Sequence, residues 1–512
     1  MSKKPSHDLF QLISSLNGSE KRYFKIFSDR HTIGKQNNYP LLFDALVSTK
    51  DYDEKEFIKG NPDLVRDHFA DQKQNLYELI LRSNVNFHYK ASIDLEIYHS
   101  LSAAQLLFRK GLFLQSRKLL QKAKKRALHY ERFLLALEIL GLEKQLTFTL
   151  FDLKRTKKEA KELNDETERV RELFNNALAY RKLAEKMYLV LSEESFLRSK
   201  KNKKLVESIM KDALMRDHRN ALSIDAQFSY HRAMGFYNYM TDQPKEFYMH
   251  NLKILSLINE HSHLVNNLIR SKITAYQNII IGLKNTGAYS KAVKMISELK
   301  ALPTESHDQN VELFSIATDI ELTLYIDTGN FSEGALAEAQ LRKGLEQFGK
   351  DMRPGSLAII YFNISYILIA DGRSKHAVKW LNKIISDKSF LSPPDTFSMA
   401  KLLSMLAHLE VKDYDHIEYC LKPTSNFLVR NEKFHLLEKA LLEFFSTLIH
   451  PEKRRKMKEL YLQLQKELEM IAKHPTQKNA LHYFDFLSWV RSKIDQTTME
   501  EAVKKLRNKT SP

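Results

Sequence analysis

Residues 276–299 read YQNIIIGLKNTGAYSKAVKMISEL, and this stretch decides the fold. Tyr276, Ile279, Ile280 and Leu283 recur at helical spacing, one apolar stripe of a first helix. Asn285-Thr286-Gly287 then breaks the run, glycine being the usual residue just past a helix end. A second helix follows at once, with Tyr289, Ala292, Ile296 and Leu299 on its apolar side. Neither helix can bury its stripe alone, so the two must pack on each other and on neighbours.

The same offsets recur along the chain. Small or apolar residues stand five, nine and twelve positions past the glycine in most copies. Gly329 is followed by Phe331, Gly334, Glu338 and Leu341, and Gly372 by Ser374, Ala377, Leu381 and Ile384. Gly111 is followed by Phe113, Ser116, Leu120 and Ala123, and Lys412 by Tyr414, Ile417 and Leu421. Gly287, Gly329 and Gly372 lie 42 and 43 residues apart. A fixed period of this size means stacked helix pairs. The expected fold is all-α: a right-handed α-solenoid of helix pairs with a period near 42 residues. Helical N- and C-terminal segments flank it.

Composition agrees with long helices and short loops. The 512 residues include only fourteen glycines and twelve prolines, where average usage would give roughly 35 and 25. The hydrophobic fraction, 43%, supports a continuous core, and the 28% of charged residues suits exposed helix faces. With a single cysteine, Cys420, no intrachain disulfide or cysteine-rich zinc site is expected, and Cys420 reads as a half-buried helix residue. The first residues lack the apolar core of a secretion signal. The longest apolar run, 357–370, is too short to span a bilayer and holds Asn363. These features predict no membrane association and a cytoplasmic location.

Three segments are expected: a helical N-terminal domain over 1–95, a repeat array over 96–430 and a helical C-terminal cap over 431–512. In the first, helices are predicted from Leu9 to Leu16, from Glu20 to Ser28 with Ser19 as N-cap, from Tyr39 to Thr49, from Asp53 to Lys59 and from Asp63 to Phe87. In the array, degenerate pairs are predicted at 132–150 with 154–174 and at 174–192 with 201–215. A further pair is predicted at 222–241 with 245–260, where Lys245 takes the glycine position. In the cap, Pro451 opens a charged helix to about Lys473, and Leu481 to Ile494 forms an aromatic-rich helix.

These offsets resemble the tetratricopeptide repeat. Its second-helix pattern of glycine, aromatic, small, large and small residues is met by Gly287, Tyr289, Ala292, Ile296 and Leu299. Its first-helix pattern is met in full by Tyr361, Ile364, Ser365 and Leu368. The resemblance covers about 96–430, with repeats longer than the family's 34 residues. It implies a protein-binding array. The architecture is also similar to bacterial peptide-sensing regulators that carry such arrays, and the N-terminal segment to an uncharacterised bacterial repeat group. The clamp for acidic chaperone tails needs Lys and Asn at first-helix positions that here hold Gln277, Ile281, Asp319 and Thr323, so that clamp is not implied.

The net charge of +17 is uneven: residues 1–90 carry +2, 91–220 carry +10, 221–450 carry −1 and 451–512 carry +6. Basic runs lie at 118–126 (Lys118, Lys122, Lys124, Lys125, Arg126), 200–204 (Lys200, Lys201, Lys203, Lys204) and 453–458 (Lys453, Arg454, Arg455, Lys456, Lys458). Such runs can attract nucleic acid, yet they lack the interleaved aromatics of single-strand binders and read first as solvated helix faces.

Enzyme motifs fail on context. Asp327-Thr328-Gly329 spells an aspartic-protease triplet but ends a repeat helix. His261 and His263 are two apart, the wrong spacing for one helix face. Ser208 and Lys211 have no partner motif. No catalytic residue, cofactor or metal ligand is expected. The expected function is a scaffold or adaptor that holds a protein or peptide in the groove lined by first helices. The alternative is a peptide-responsive or nucleic-acid-linked regulator. Fixed offsets before each turn select Arg232, Tyr239, Gln277, Ile281, Lys284, Asp319, Thr323, Phe362 and Tyr366 as groove residues, of which Arg232, Tyr239, Phe362 and Tyr366 are expected to be partly exposed and to face one concavity. The aromatics Phe228, Tyr230, Phe236, Tyr237, Tyr239, Phe247 and Tyr248 crowd one pair and are expected to divide between core and groove.

Overall fold

The structure is a computed structural model. It describes residues 7–29, 38–49, 52–62, 64, 69–90, 92–150, 153–193, 200–265, 267–391, 394–431, 433–474, 480–481 and 483–510. Among these the secondary structure is helical throughout, with 26 α-helices packed in neighbouring pairs and no strand. Contacts divide the chain into two units, 1–178 and 179–512.

The first unit holds α1 (Asp8–Ser15), α2 (Gly18–Asp29), α3 (Asn38–Ser48), α4 (Glu54–Gly60), α5 (Phe69–His88), α6 (Ile93–Arg109), α7 (Phe113–His129) and α8 (Phe133–Thr149). It also holds the first part of α9 (Leu153–Glu193). Helices α1–α5 close around Ile13, Phe24, Phe43, Leu76 and Ile80. The N-cap of α2 is Asn17 rather than the expected Ser19. Asn17 Oδ1 accepts from the Ser19 and Glu20 amides at 2.9 and 3.0 Å, and Glu20 Oε2 accepts from the Asn17 amide at 2.7 Å, a reciprocal capping box. Asp63 and residues 65–68, the expected start of the fifth helix, lie outside the described residues. Helices α6, α7 and α8 pack in sequence around Ala104, Leu120, Ala136 and Ile139, joined by Val170 of α9.

The break expected at residue 174 is absent: α9 is one helix of 41 residues. The two apolar stretches read as separate helices carry no glycine or proline between them, so nothing in the backbone stops the turn.

The second unit continues with α10 (Lys200–Met210), α11 (Ile224–Met240), α12 (Pro244–Glu260), α13 (Leu268–Asn285), α14 (Tyr289–Lys300) and α15 (His307–Thr328). Next come α16 (Phe331–Leu336), α17 (Glu338–Phe348), α18 (Pro354–Ala370), α19 (Ser374–Ser386), α20 (Pro394–Glu410) and α21 (Tyr414–Arg430). The chain ends in α22 (Leu436–Leu448), α23 (Pro451–Arg454), α24 (Met457–Lys473), α25 (Phe486–Asp495) and α26 (Met499–Thr510). Each odd–even pair from α11 to α14, then α18 with α19 and α20 with α21, packs side by side, and α13, α18 and α20 also meet α15, α20 and α22 respectively.

One turn joins these pairs. Gly111, Gly287, Gly329 and Gly372 have φ of 75°, 73°, 71° and 80°, the left-handed region that glycine enters at little cost. Glu131, Asp242 and Lys412 take the same conformation, with φ of 50°, 56° and 60°. In all seven the next residue's amide reaches back five residues, as from Ala288 to the Leu283 carbonyl at 2.9 Å and from Arg373 to Leu368 at 2.7 Å. This is the Schellman arrangement. It corrects one expectation: the turn residue before α12 is Asp242, not Lys245, because Pro244 already occupies the first turn of the helix. Five residues past the turn, Ser116, Ala292, Gly334, Ala377 and Ile417 are all buried.

The C-terminal part differs from expectation in two places. Pro451 opens only the short α23, and the charged helix restarts at Met457. The aromatic helix starts at Phe486, not Leu481, with Asp485 as its cap accepting from the Ser488 amide at 2.9 Å.

Candidate functional site

Within the second unit, α11, α12 and α13 enclose a cleft of about 450 Å³. Phe228, Phe236 and Phe247 wall it, and its polar groups include Arg232, Arg270, Asn251 and Asn278. Burial orders these amides: Asn251 is 3% exposed, its Nδ2 donates to the Phe247 carbonyl at 2.8 Å, and its Oδ1 accepts from Asn278 Nδ2 at 3.0 Å. The close helix approach that makes this contact depends on Gly282, where an added Cβ would lie 2.5 Å from the Tyr248 Cβ. Arg232 is exposed, its guanidinium 5.8 Å from the Phe236 ring centre. Of the seven crowded aromatics, Tyr230 and Phe247 are buried and the other five are half-buried.

The nine residues selected from sequence fall into four groups. Arg232 lines the cleft, while Tyr239 packs on Phe247 with ring centres 5.3 Å apart. Gln277 and Ile281 are half-buried on α13. Lys284 and Thr323 meet between first helices, and Asp319 lies within the electrostatic reach of Lys284. Lys284 Nζ lies 2.8 Å from Asp327 Oδ2 and donates to Thr323 Oγ1 at 2.7 Å, and Asn363 Nδ2 donates to Asp319 Oδ1 at 2.9 Å. Burial raises the Asp319 pKa, against the pull of Lys284 and the Asn363 hydrogen bond.

Phe362 and Tyr366 correct the expectation of partial exposure: each is only 5% exposed. Tyr366 lies between Phe331 and Phe484, with ring centres at 5.9 and 4.5 Å, and its hydroxyl accepts from the Asp485 amide at 3.2 Å. The segment around Phe484 therefore covers α18, which repeat offsets alone do not encode because it lies more than a hundred residues away in sequence.

The basic runs are less free than their spelling suggests. Lys124 Nζ lies between Glu143 and Glu166 at 2.7 and 2.6 Å, and Arg126 pairs with Glu96 at 2.7 Å. Burial alone would lower the Lys124 pKa, but the two carboxylates hold it above the ordinary value. Arg454 lies over the Tyr414 ring and donates to the Leu448 and Ile449 carbonyls, closing the end of α22. Lys118, Lys122, Lys125, Lys201, Lys203, Lys204, Lys453, Arg455, Lys456 and Lys458 are exposed. Lys200 has no described side chain. The protease-like triplet is accounted for by structure: Asp327 pairs with Lys284, and Gly329 is the turn residue.

One cluster escaped the sequence reading. Cys420 is half-buried on α21 as expected, but His416 Nε2 is 3.3 Å from its sulfur, and His408 and Asp413 lie beside His416. The signal was the spacing of Asp413, His416 and Cys420. Steps of three and four place them on one helix face.

Comparison with family models, curated proteins and solved structures finds no match. No described helix is long and apolar enough to cross a membrane.

Proposed function

We propose that this protein is an interaction scaffold. In this reading it is a right-handed array of tetratricopeptide-like pairs, with a period near 42 residues, that holds a peptide or helix of a partner protein along its first helices. The observation that carries the reading is the cleft between α11, α12 and α13: three phenylalanines, the hydrogen-bonded amides of Asn251 and Asn278, and two exposed arginines, Arg232 and Arg270. Apolar walls with a few oriented amides suit a bound segment whose backbone must keep its hydrogen bonds. Arg232 favours a segment with a carboxylate, and aromatic and arginine anchors are the side chains that dominate such interfaces. The segment 221–450 around the cleft is close to neutral, so long-range charge is not the main attraction there.

The test is capture of partners from a cell lysate by the full-length protein, at low and high salt, with and without nuclease. The expected outcome is a set of proteins that survives nuclease and is depleted by Arg232→Ala and by Arg232→Glu, with melting curves unchanged. Identical capture by wild type and both variants would overturn the cleft assignment. A nuclease-sensitive set would favour the regulator reading through the exposed lysines of 118–125, 201–204 and 453–458.

A further inference from the structure

The last helix, α26, docks back on the array. Its Met499, Ala502 and Val503 stand at steps of three and four, on one helix face, and all three are buried. Val503 seats on the turn between α15 and α16, where a Cβ added to Gly329 would lie 3.0 Å from its Cγ1. Gly329 therefore serves that turn twice, by its left-handed φ of 71° and by leaving room for the valine methyl. Beside it, Glu500 Oε2 accepts from the Ser332 amide at 3.3 Å, across 168 residues of sequence. Ser332 lies in the first turn of α16, whose N-cap residue Asn330 makes no side-chain cap hydrogen bond. A carboxylate from α26 thus takes the part of a cap. The Ser332 hydroxyl donates to Asp371 Oδ1 at 2.9 Å, which ties the turn between α18 and α19 to the same point. Burial pushes the Glu500 carboxyl up, but Lys504 and the Ser332 amide hold it below the ordinary value.

The seat is shallow. Phe484, Phe486 and Trp489, in and just before α25, are buried almost completely within the main core of the second unit. Among the described side chains of α26, by contrast, only Met499, Ala502 and Val503 are buried, and Lys504 and Lys505 already face solvent. Gln496, Thr497 and Thr498, which join α25 to α26, are exposed. Such a linker holds α26 near its seat at an effective concentration on the order of millimolar. A contact that is weak in itself is then filled because the occupant is tethered, and it can be emptied by a competitor.

We infer that the turn of the α15–α16 pair is a docking surface for a short amphipathic helix of a partner protein, with α26 as its resident and displaceable occupant. The helix that fits has apolar residues at i, i+3 and i+4 and a glutamate at i+1, the face that α26 presents as Met499, Ala502, Val503 and Glu500. The close approach at Gly329 limits the residue at i+4 to about the size of valine. A carboxylate is selected at i+1 because it meets an amide at the start of a helix, where a lysine or arginine would bring a second donor. This surface shares no residue with the α11–α13 cleft, and its test stands apart from that reading.

The probe is a fluorescent peptide of residues 497–512, titrated by anisotropy into the full-length protein and into the full-length double variant Ala502→Asp, Val503→Asp, whose own α26 cannot seat. The double variant should bind the peptide saturably. Wild type should bind it at least about tenfold more weakly, because there the peptide competes with a tethered occupant. A peptide carrying Val503→Asp should not bind, and one carrying Glu500→Ala should bind about tenfold more weakly, as loss of a charge-assisted hydrogen bond does. Amide exchange of the same proteins, read by mass spectrometry, should be at least about tenfold faster over 329–336 in the double variant and unchanged over 486–495. Val503→Ser repeats both measurements should the double variant misfold. No saturable binding to the variant, equal affinity for variant and wild type, or wild-type exchange over 329–336 would overturn the inference.

Discussion

A single left-handed residue closes each helix pair, and chemistry at that residue can be tested by exchange in both directions. Alanine at Gly287 or Gly372 meets no atom within 4 Å, so only the backbone resists it. Each change should cost about 1 kcal/mol, read as a lower melting temperature. The opposite exchange, Glu131→Gly, removes the strain of a β-carbon at φ 50° and should be neutral or stabilise by up to about 1 kcal/mol. The glycine turns were legible in sequence because glycine is rare here and recurs at one offset. Glu131 was not, since nothing in its chemistry marks a left-handed residue, and Asp242, a residue type that tolerates that region, was passed over for Lys245. A second residue-scale prediction concerns protons. His231 and His250 face each other with Nδ1 atoms 2.9 Å apart, so one must be neutral. Burial first, then His250, His218 and Lys253, push the His231 pKa down to about 4. Burial also lowers that of His250, partly offset by Glu246. An unfolded histidine titrates near 6.5. The folded state therefore holds fewer protons between pH about 6.5 and 4. Its full stability is present above that window and is lost as the pH falls through it, by no more than about 1.4 kcal/mol per pH unit for one group. His231→Gln should flatten the fall in melting temperature between pH 7 and 5. An unchanged slope would place the acid sensitivity elsewhere.

At the scale of elements, close approach between helices explains the small residues of the repeat. Ala292 and Ala377 have no exposed surface. Ala292→Leu and Ala377→Leu should each cost about 1–3 kcal/mol by overpacking, read from thermal melting. Gly282→Ala should do at least as much, because α12 and α13 meet across it. Ala292 and Ala377 were readable from the period, whereas Gly282 was not singled out by it. What the period did not convey is substitution within it. Glu338 stands where the repeat has a large apolar residue, yet it is buried at 7% exposure. Trp380 Nε1 donates to it at 2.9 Å, and Arg342 and His376 flank it. Burial pushes its carboxyl up, but those hydrogen bonds hold it below the ordinary value. The continuous α9 was missed for a different reason. Stripe patterns mark which face is buried, and a change of face along a helix reads like a break.

At the scale of the molecule, the candidate cleft was only partly legible. Repeat offsets selected Arg232, which lines the cleft, but they could not reveal that Phe484 and Asp485 cover Tyr366. The division into two units has a practical consequence that rests on tryptophan. The chain has two, Trp380 and Trp489, both in the second unit and both buried at 1–2% exposure. Their indole N–H groups are held by Glu338 and Glu410 at 2.9 and 2.7 Å. Excitation selective for indole is therefore blind to residues 1–178, whereas circular dichroism sums helices from the whole chain. If the units melt independently, the two signals will trace different curves in denaturant. Subtracting the second unit's transition, read by indole fluorescence, from the helical signal then leaves the transition of residues 1–178 without a label or a truncation.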